Sequence, residues 1–434
     1  MHRRLHRRLH RVNRTAACTV PPVHRTRPPH RPRSMMDVLA TLERKHSLNL
    51  FPIENRLSPR AAAALASDAV NRYPYSETDV AVYGDVSDLN AVYDHCVSLT
   101  KEFYGARHAY VQFLSGLHTM HTVLTAVTPP GGRVMVIAPE DGGHYATVTI
   151  CQGFGYRVEY VPFDRQTLEI DYTALAERTA EHPADVIYLD ASTVLRMPDA
   201  RALRAAAPGA VLCLDASHLL GLLPAAPGTL VLDGGFDSIS GSTHKTLPGP
   251  QKGLLVTNSD AIAEQVGARI PFTASSSHSA SVGSLAITLE ELLPHRGDYA
   301  RQVIANAREL ARQLAARGFD VAGEAFGFTD THQVWVHHPE GNTPHEWGRL
   351  LTATDIRTTT VVLPSTARSG LRLGTQELTR WGMTEDDMTT VAELLARLLL
   401  RGEQSRSVAA DVRDLARSFP GVAFADRPAP LAVA

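Results

Sequence analysis

Ser240-Gly241-Ser242-Thr243-His244-Lys245-Thr246-Leu247-Pro248-Gly249-Pro250-Gln251-Lys252-Gly253 puts one lysine, Lys245, inside a hydroxyl- and glycine-rich turn that follows an apolar strand. A lysine so placed is a Schiff-base candidate. That chemistry needs an amine near an aldehyde, desolvated enough to spend time neutral, with small neighbours that let a bulky cofactor approach the backbone. The bland alternative is a lysine solvated in a polar surface turn.

Thirty residues upstream, Val211-Leu212-Cys213-Leu214-Asp215-Ala216-Ser217-His218 reads as a buried apolar strand ending in an acid and a histidine. An Asp there suits a pyridinium. Pyridoxal 5'-phosphate (PLP) needs a carboxylate at its ring nitrogen, because the protonated pyridine is the electron sink for a carbanion at Cα. The alternative for Asp215 is a helix N-cap after the strand.

From about residue 46 to Pro420 the chain resembles the serine hydroxymethyltransferase group of fold-type I PLP enzymes. Leu50-Phe51-Pro52-Ile53-Glu54-Asn55 is similar to that family's Leu-Ile-Ala-Ser-Glu-Asn, Asn71-Arg72-Tyr73 to its Asn-Lys-Tyr, and Tyr83-Gly84 to its Tyr-Gly step. Gly142-Gly143-His144 resembles its Gly-Gly-His, and Ser240–Gly253 its Thr-Thr-His-Lys-Thr-Leu-Arg-Gly-Pro-Arg-Gly run. Ser369-Gly370-Leu371-Arg372-Leu373-Gly374-Thr375 and Phe419-Pro420 match the closing motifs.

The resemblance implies an α/β fold of the aspartate aminotransferase-like type: a PLP-binding large domain with a mainly parallel seven-stranded sheet, and a smaller C-terminal α+β domain. The pattern itself agrees. Strands at 134–138, 158–161 and 186–189 alternate with helical stretches at 145–151 and 172–181, which predicts a parallel sheet covered on both faces. A long helical stretch runs from Val282 to about Arg317, and the smaller part begins near Phe319. The expected boundaries are thus 1–34, a basic arm; 35–318, the large domain; 319–420, the small domain; and 421–434, a loose tail.

Roles carry over by position. Lys245 would hold the cofactor as an internal aldimine, Asp215 would pair with the pyridine nitrogen, His218 would lie near the other ring substituents, and His144 would stack on the ring. Ser115 and Gly116 would meet the phosphate at a helix N-terminus, with Ser192 and His244 as further cofactor contacts. Arg372 would clamp the substrate carboxylate with its planar fork. Tyr73 and Tyr83 would line the pocket, one of them from a partner subunit, since the family's sites form at a homodimer interface. The alternatives are a His144 satisfied at a helix start, a surface ion pair for Arg372, and core packing for the tyrosines.

Departures from the family decide the chemistry. Tyr75 stands where the family has its catalytic Glu, with Glu77 displaced, and Glu54 matches the other, structural Glu. Ile53 replaces a carboxylate-binding serine, Leu117 the second phosphate serine, Ser275-Ser276-Ser277 the glycine-rich phosphate loop, and Val82 the first of paired tyrosines. The segment Thr358–Ser365 is about four residues shorter than the family's pterin-gripping stretch. The reading is therefore a quinonoid-forming enzyme acting at Cα without folate, by aldol cleavage or transfer on a β-hydroxy amino acid such as serine or threonine, with an aldehyde acceptor in the transfer case. A racemase or epimerase, a retained hydroxymethyltransferase and a non-catalytic PLP-binding scaffold remain as alternatives.

Composition bounds this reading without supplying it. The chain has 434 residues, 44% hydrophobic and 20% charged, enough for two domains with sizeable cores. Cys18, Cys96, Cys151 and Cys213 form no Cys-x-x-Cys pair, so neither a disulfide framework nor a zinc site is indicated, and a cytoplasmic location is expected. No apolar run reaches the ~20 residues of a membrane span. Removing the ten Arg of residues 1–34 leaves 33 basic against 45 acidic residues, so the body carries about −12 rather than −2. The arm reads as an upstream start chosen before Met35-Met36, a transit segment or a nucleic-acid tail; for the body, nucleic acid is not an expected partner.

Overall fold

The computed structural model describes residues 47–74, 87–225, 232, 235–274, 276–339, 344–364, 366 and 368–425. The basic arm, Met35-Met36, Tyr75, Glu77, Val82, Tyr83, Ser275, Ser365 and residues 426–434 lie outside the described residues.

The strands in chain order are β1 (Leu48–Asn49), β2 (His108–Tyr110), β3 (Arg133–Val136), β4 (Arg157–Tyr160), β5 (Phe163–Asp164), β6 (Glu169–Ile170) and β7 (Val186–Leu189). They continue with β8 (Val211–Asp215), β9 (Ser238–Ser242), β10 (Gly253–Thr257), β11 (Gln333–His337), β12 (Ile356–Arg357), β13 (Thr359–Val362) and β14 (Ser369–Gly374). Seven of them form the main sheet in the order β2-β10-β9-β8-β7-β3-β4. Pairings from β9 through β4 are parallel, and β10 alone runs against both of its neighbours.

Side-chain alternation sorts the sheet into two cores. Met135, Ile187, Leu212, Leu214, Ile239, Leu254 and Val256 point into one. Their chain neighbours Val134, Val136, Val186, Tyr188, Cys213 and Leu255 point into the other. Because successive Cβ atoms face opposite sides of a strand, a run that is apolar at every position is what a sheet covered on both faces requires. The helices Gly116–Val127, Tyr145–Gly153 and Asp260–Thr273 supply partners on the second side.

The expected helical stretch from Val282 to Arg317 is two helices, Ser279–Leu292 and Arg296–Ala316, separated by a 3-10 turn over Leu293–His295. Pro294 explains the break, since it lacks the N–H for a continuous ladder. The second helix straddles two cores. Tyr299 and Val303 pack in the main-sheet core. Ala307, Leu310, Ala311 and Leu314 pack in a separate core with Leu48, Leu50, Trp347, Leu371, Leu373 and Leu395. That core is built around the antiparallel sheet β11-β14-β13. At the crossover, buried Asn306 donates to Thr379 Oγ1 at 2.8 Å and to the Met383 carbonyl at 2.9 Å.

The strand order also places the site. Asp190 follows β7, Asp215 ends β8 and Ser242 ends β9, so three adjacent parallel strands deliver polar side chains to one carboxyl edge, where ligands bind in open α/β sheets.

Candidate active site

At that edge lies a pocket open to solvent, with about 740 Å³ of space that includes its open mouth. Ser115, Gly116, His144, Ser192, Asp215, His218, His244 and Lys245 all line it. Eight residues expected from sequence thus meet in one cavity. Arg372 stands behind its wall, donating from Nη1 to the Ser192 carbonyl at 2.7 Å and to Thr193 Oγ1 at 3.3 Å. Tyr73 does not line the pocket; it is 44% exposed, its hydroxyl 3.5 Å from Ser276 Oγ.

The turn that carries Lys245 is fastened from several sides. Asn55 Nδ2 donates to the Lys245 carbonyl at 2.7 Å and the Tyr299 hydroxyl donates to the Thr246 carbonyl at 2.7 Å. Thr243 donates from its hydroxyl to the Pro250 carbonyl at 2.6 Å, closing the loop on itself. Burial, the larger effect, pulls the Lys245 amine down to about 8; Asp215 opposes the shift and Arg372 adds to it. A desolvated amine is neutral part of the time at neutral pH. This excludes the solvated surface lysine.

Asp215 caps no helix. Its Oδ1 accepts from Ser217 N at 2.9 Å and its Oδ2 from the Tyr188 hydroxyl at 3.3 Å, so both oxygens are aimed by neighbours. His144 does cap the helix Tyr145–Gly153, accepting from Ala146 N at its Nδ1 (3.3 Å), while also lining the pocket. With Nδ1 accepting, Nε2 carries the proton of the neutral ring. Burial lowers the pKa of His144, as it does for His218 and for His244, which falls to about 4.

Ser115 caps the helix Gly116–Val127, accepting from His118 N at 3.1 Å. The next residue has to be glycine: a Cβ on Gly116 would strike Ser242 Oγ, meet Ser242 N at 2.9 Å and Ser217 Oγ at 3.0 Å. Residues here fit a polar ligand with an anionic end. His244 Nδ1, Arg372 Nε and Asp190 Oδ1 are buried polar atoms with no hydrogen-bond partner among the described residues. Such atoms cost free energy unless something completes them. Arg372, with burial lowering its pKa only to about 10, remains a cation, and its Nε is left without a partner among the described residues.

Several contributors were not anticipated. Asp190 lines the pocket and accepts from the Thr147 hydroxyl; burial, followed by the nearby Asp215 charge among the raising causes, pushes its carboxyl up to about 8. Val186-Ile187-Tyr188-Leu189-Asp190 repeats the pattern of an apolar run ending in an acid that singled out Asp215, so the signal was there. Gln333 and His332, from the second core's sheet and the residue before it, contact His218 and left no comparable signal. Glu54 is occupied: both its oxygens face Arg357, at 2.8 and 3.0 Å, and Asn49 Nδ2 donates to it at 3.0 Å.

Sheet order, the mostly parallel seven strands and the lysine at the carboxyl edge define a fold-type I enzyme of the α/β class. The serine hydroxymethyltransferase profile matches residues 33–395, and the chain belongs to that family. It is 33% identical to fluorothreonine transaldolase of Streptantibioticus cattleyicolor over 96% of this chain and 68% of that one. It is also 33% identical to L-threonine:uridine-5'-aldehyde transaldolase of Streptomyces sp, over 87% and 91%. A serine hydroxymethyltransferase of Methanopyrus kandleri is 34% identical over 88% and 91%. The crystal structure of L-threonine transaldolase from Pseudomonas fluorescens superposes with a TM-score of 0.84 at 29% identity, covering 90% of this chain and 92% of that one.

Proposed function

We propose that this chain is a PLP-dependent transaldolase, which breaks the Cα–Cβ bond of a β-hydroxy amino acid, threonine in the first instance, releases the aldehyde and joins Cα to a second aldehyde. Its residues would hold the cofactor as follows: Lys245 the aldehyde carbon, Asp215 the ring nitrogen, His144 and His218 the ring and its oxygen, and Ser115, Gly116, Ser192 and His244 the remaining edge and phosphate. When bound, PLP supplies the electron sink for the carbanion left at Cα. Arg372 holds the amino-acid carboxylate through Nε and its free edge, with Ser192 and Thr193 fixing the other side of the fork.

The observation that carries the choice of transaldol over folate chemistry is the state of Glu54. The family's proton-handling Glu is Tyr75 here, and the nearby carboxylate is locked onto Arg357 and Asn49, so it cannot take over. The named transaldolases among the relatives support the same choice.

A homodimer with shared sites belongs to this reading, with one of the two tyrosines expected at the pocket coming from the partner subunit. Leu114, Leu117 and Phe272, all exposed and the second at the pocket rim, support a second copy covering this face. A cytoplasmic location is supported by the free cysteines Cys96, Cys151 and Cys213. Among the described residues no helix is long and apolar enough to cross a membrane. The division into 35–318 and 319–420 follows the second core around β11, β13 and β14, although that core also takes in Leu48, Leu50 and the last turns of the helix Arg296–Ala316 from the larger part.

The test is acetaldehyde release from threonine without folate, followed by a coupled dehydrogenase, with and without an added aromatic aldehyde. Release that the acceptor accelerates, abolished in Lys245→Ala, is the expected result. Activity only on serine with tetrahydrofolate would overturn the proposal in favour of hydroxymethyl transfer.

A further inference from the structure

Four buried polar side chains from three parts of the chain meet beside the pocket, and their mutual geometry fixes where the protons sit. Gln333 is fully buried in β11. Two groups that can only donate, Val194 N–H and the Trp335 indole N–H, reach its Oε1 at 3.2 and 3.1 Å. Its Nε2 is thereby turned the other way, to the Ser192 carbonyl at 3.0 Å and His218 Nδ1 at 3.2 Å. An amide nitrogen only donates, so His218 Nδ1 accepts.

His332 repeats the constraint independently. Its Nε2 lies 3.1 Å from the Pro52 carbonyl, which only accepts, so that nitrogen carries the ring's proton; it also lies 3.4 Å from the same His218 Nδ1. Both imidazoles are held neutral by burial. A neutral imidazole has a single N–H, and in His218 the nitrogen left to carry it is Nε2, on the side away from Gln333. His218 lines the pocket.

We infer that Gln333 is a positioning residue that fixes His218 as the Nε2–H tautomer, making it a one-way donor to an oxygen of whatever fills the pocket. The same amide shares the Ser192 carbonyl with Arg372 Nη1, so one side chain of the smaller sheet sets both the donor toward the ring and the wall behind the carboxylate fork. The ligand oxygen rests on the PLP reading above; the tautomer does not.

The experiment uses the full chain labelled with 15N-histidine, and long-range 1H–15N correlations before and after adding PLP. The His218 signals are those lost in His218→Gln. Wild type should show the Nε2–H pattern already without added PLP. In Gln333→Glu, read at a pH where the new carboxyl is ionised, one oxygen still accepts from Val194 and Trp335, and the other, no longer able to donate to the Ser192 carbonyl, can only accept from His218. The ring should therefore gain a proton on Nδ1, and the Kd for PLP should rise about tenfold or more. An Nδ1–H pattern in wild type would overturn the inference even if the variant failed to fold. An unchanged Nε2–H pattern in folded Gln333→Glu would overturn the part assigned to Gln333. Wild type that shows the Nε2–H tautomer but takes up no PLP would support the inference and sink the functional reading instead.

Discussion

Replacing Asp190 with Asn should make the protein more stable, by an amount that grows with pH. The Asp190 carboxyl is 3% exposed, and burial lifts its pKa from 3.8 to about 8, so it is protonated in the fold at neutral pH. In the unfolded chain it ionises near 3.9. Between those values the native state binds a proton that the unfolded state has lost, so stability falls as pH rises. The carboxyl's stabilisation is complete below about pH 3.9 and is lost as pH climbs toward 8. Each unit is worth about 1.4 kcal/mol, so two units, from about pH 5.5 to about 7.5, give about 3 kcal/mol. Asn does not titrate, copies the shape of the protonated acid and still accepts from the Thr147 hydroxyl. Urea unfolding of both proteins without added PLP, followed by far-ultraviolet circular dichroism, should show the advantage of Asp190→Asn over wild type growing by about 3 kcal/mol across that interval. A difference that stays constant would mean that Asp190 ionises inside the fold, and the reasoning from burial would fail.

Attachment of PLP to the cofactor-free protein should speed up about tenfold per pH unit below about 8 and level off above, because the amine of Lys245 must be neutral to attack; stopped-flow absorbance reads the rate, and a profile still rising at about pH 10 would contradict the lowered pKa. Gly116→Ala drives a methyl into Ser242 and Ser217 and should cost about 1–3 kcal/mol in urea unfolding while weakening PLP uptake; an unchanged Kd would show that this turn is not the cofactor's cradle. Arg372→Lys keeps the charge and loses the fork, so KM for threonine should rise about 10- to 100-fold with a smaller change in kcat, and equal kinetics would remove Arg372 from carboxylate binding.

What could be read from the sequence was local. Strands with an apolar residue at every position announce themselves because both faces of the sheet are covered, which is why Val186–Leu189 and the helix Tyr145–Gly153 fall close to where the pattern put them. Lys245 and Asp215 stood out through the small or apolar residues around them, and the structure brings them into one pocket. Pro294 was visible, yet the periodicity on either side of it masked the break between the two helices. Gln333 was not legible, because its contact with His218 spans 115 residues and nothing near either one hints at the other. Asp190 ends the same kind of apolar run as Asp215, and nothing local in the sequence shows that burial keeps its carboxyl protonated.

The helix Arg296–Ala316, which gives its first turns to one core and its last to another, makes the chain a single cooperative object. Cutting before Phe319 would strand the apolar stripe Ala307–Leu310–Ala311–Leu314 in water, and the C-terminal fragment would lose both that stripe and Leu48 and Leu50 from its interior. Each piece would lose part of its own interior. Asn306, midway, makes hydrogen bonds to Thr379 and Met383 that no solvent replaces once buried, so bending there is costly. A boundary drawn at this apparent seam for expression or grafting would therefore divide a rod that both cores share.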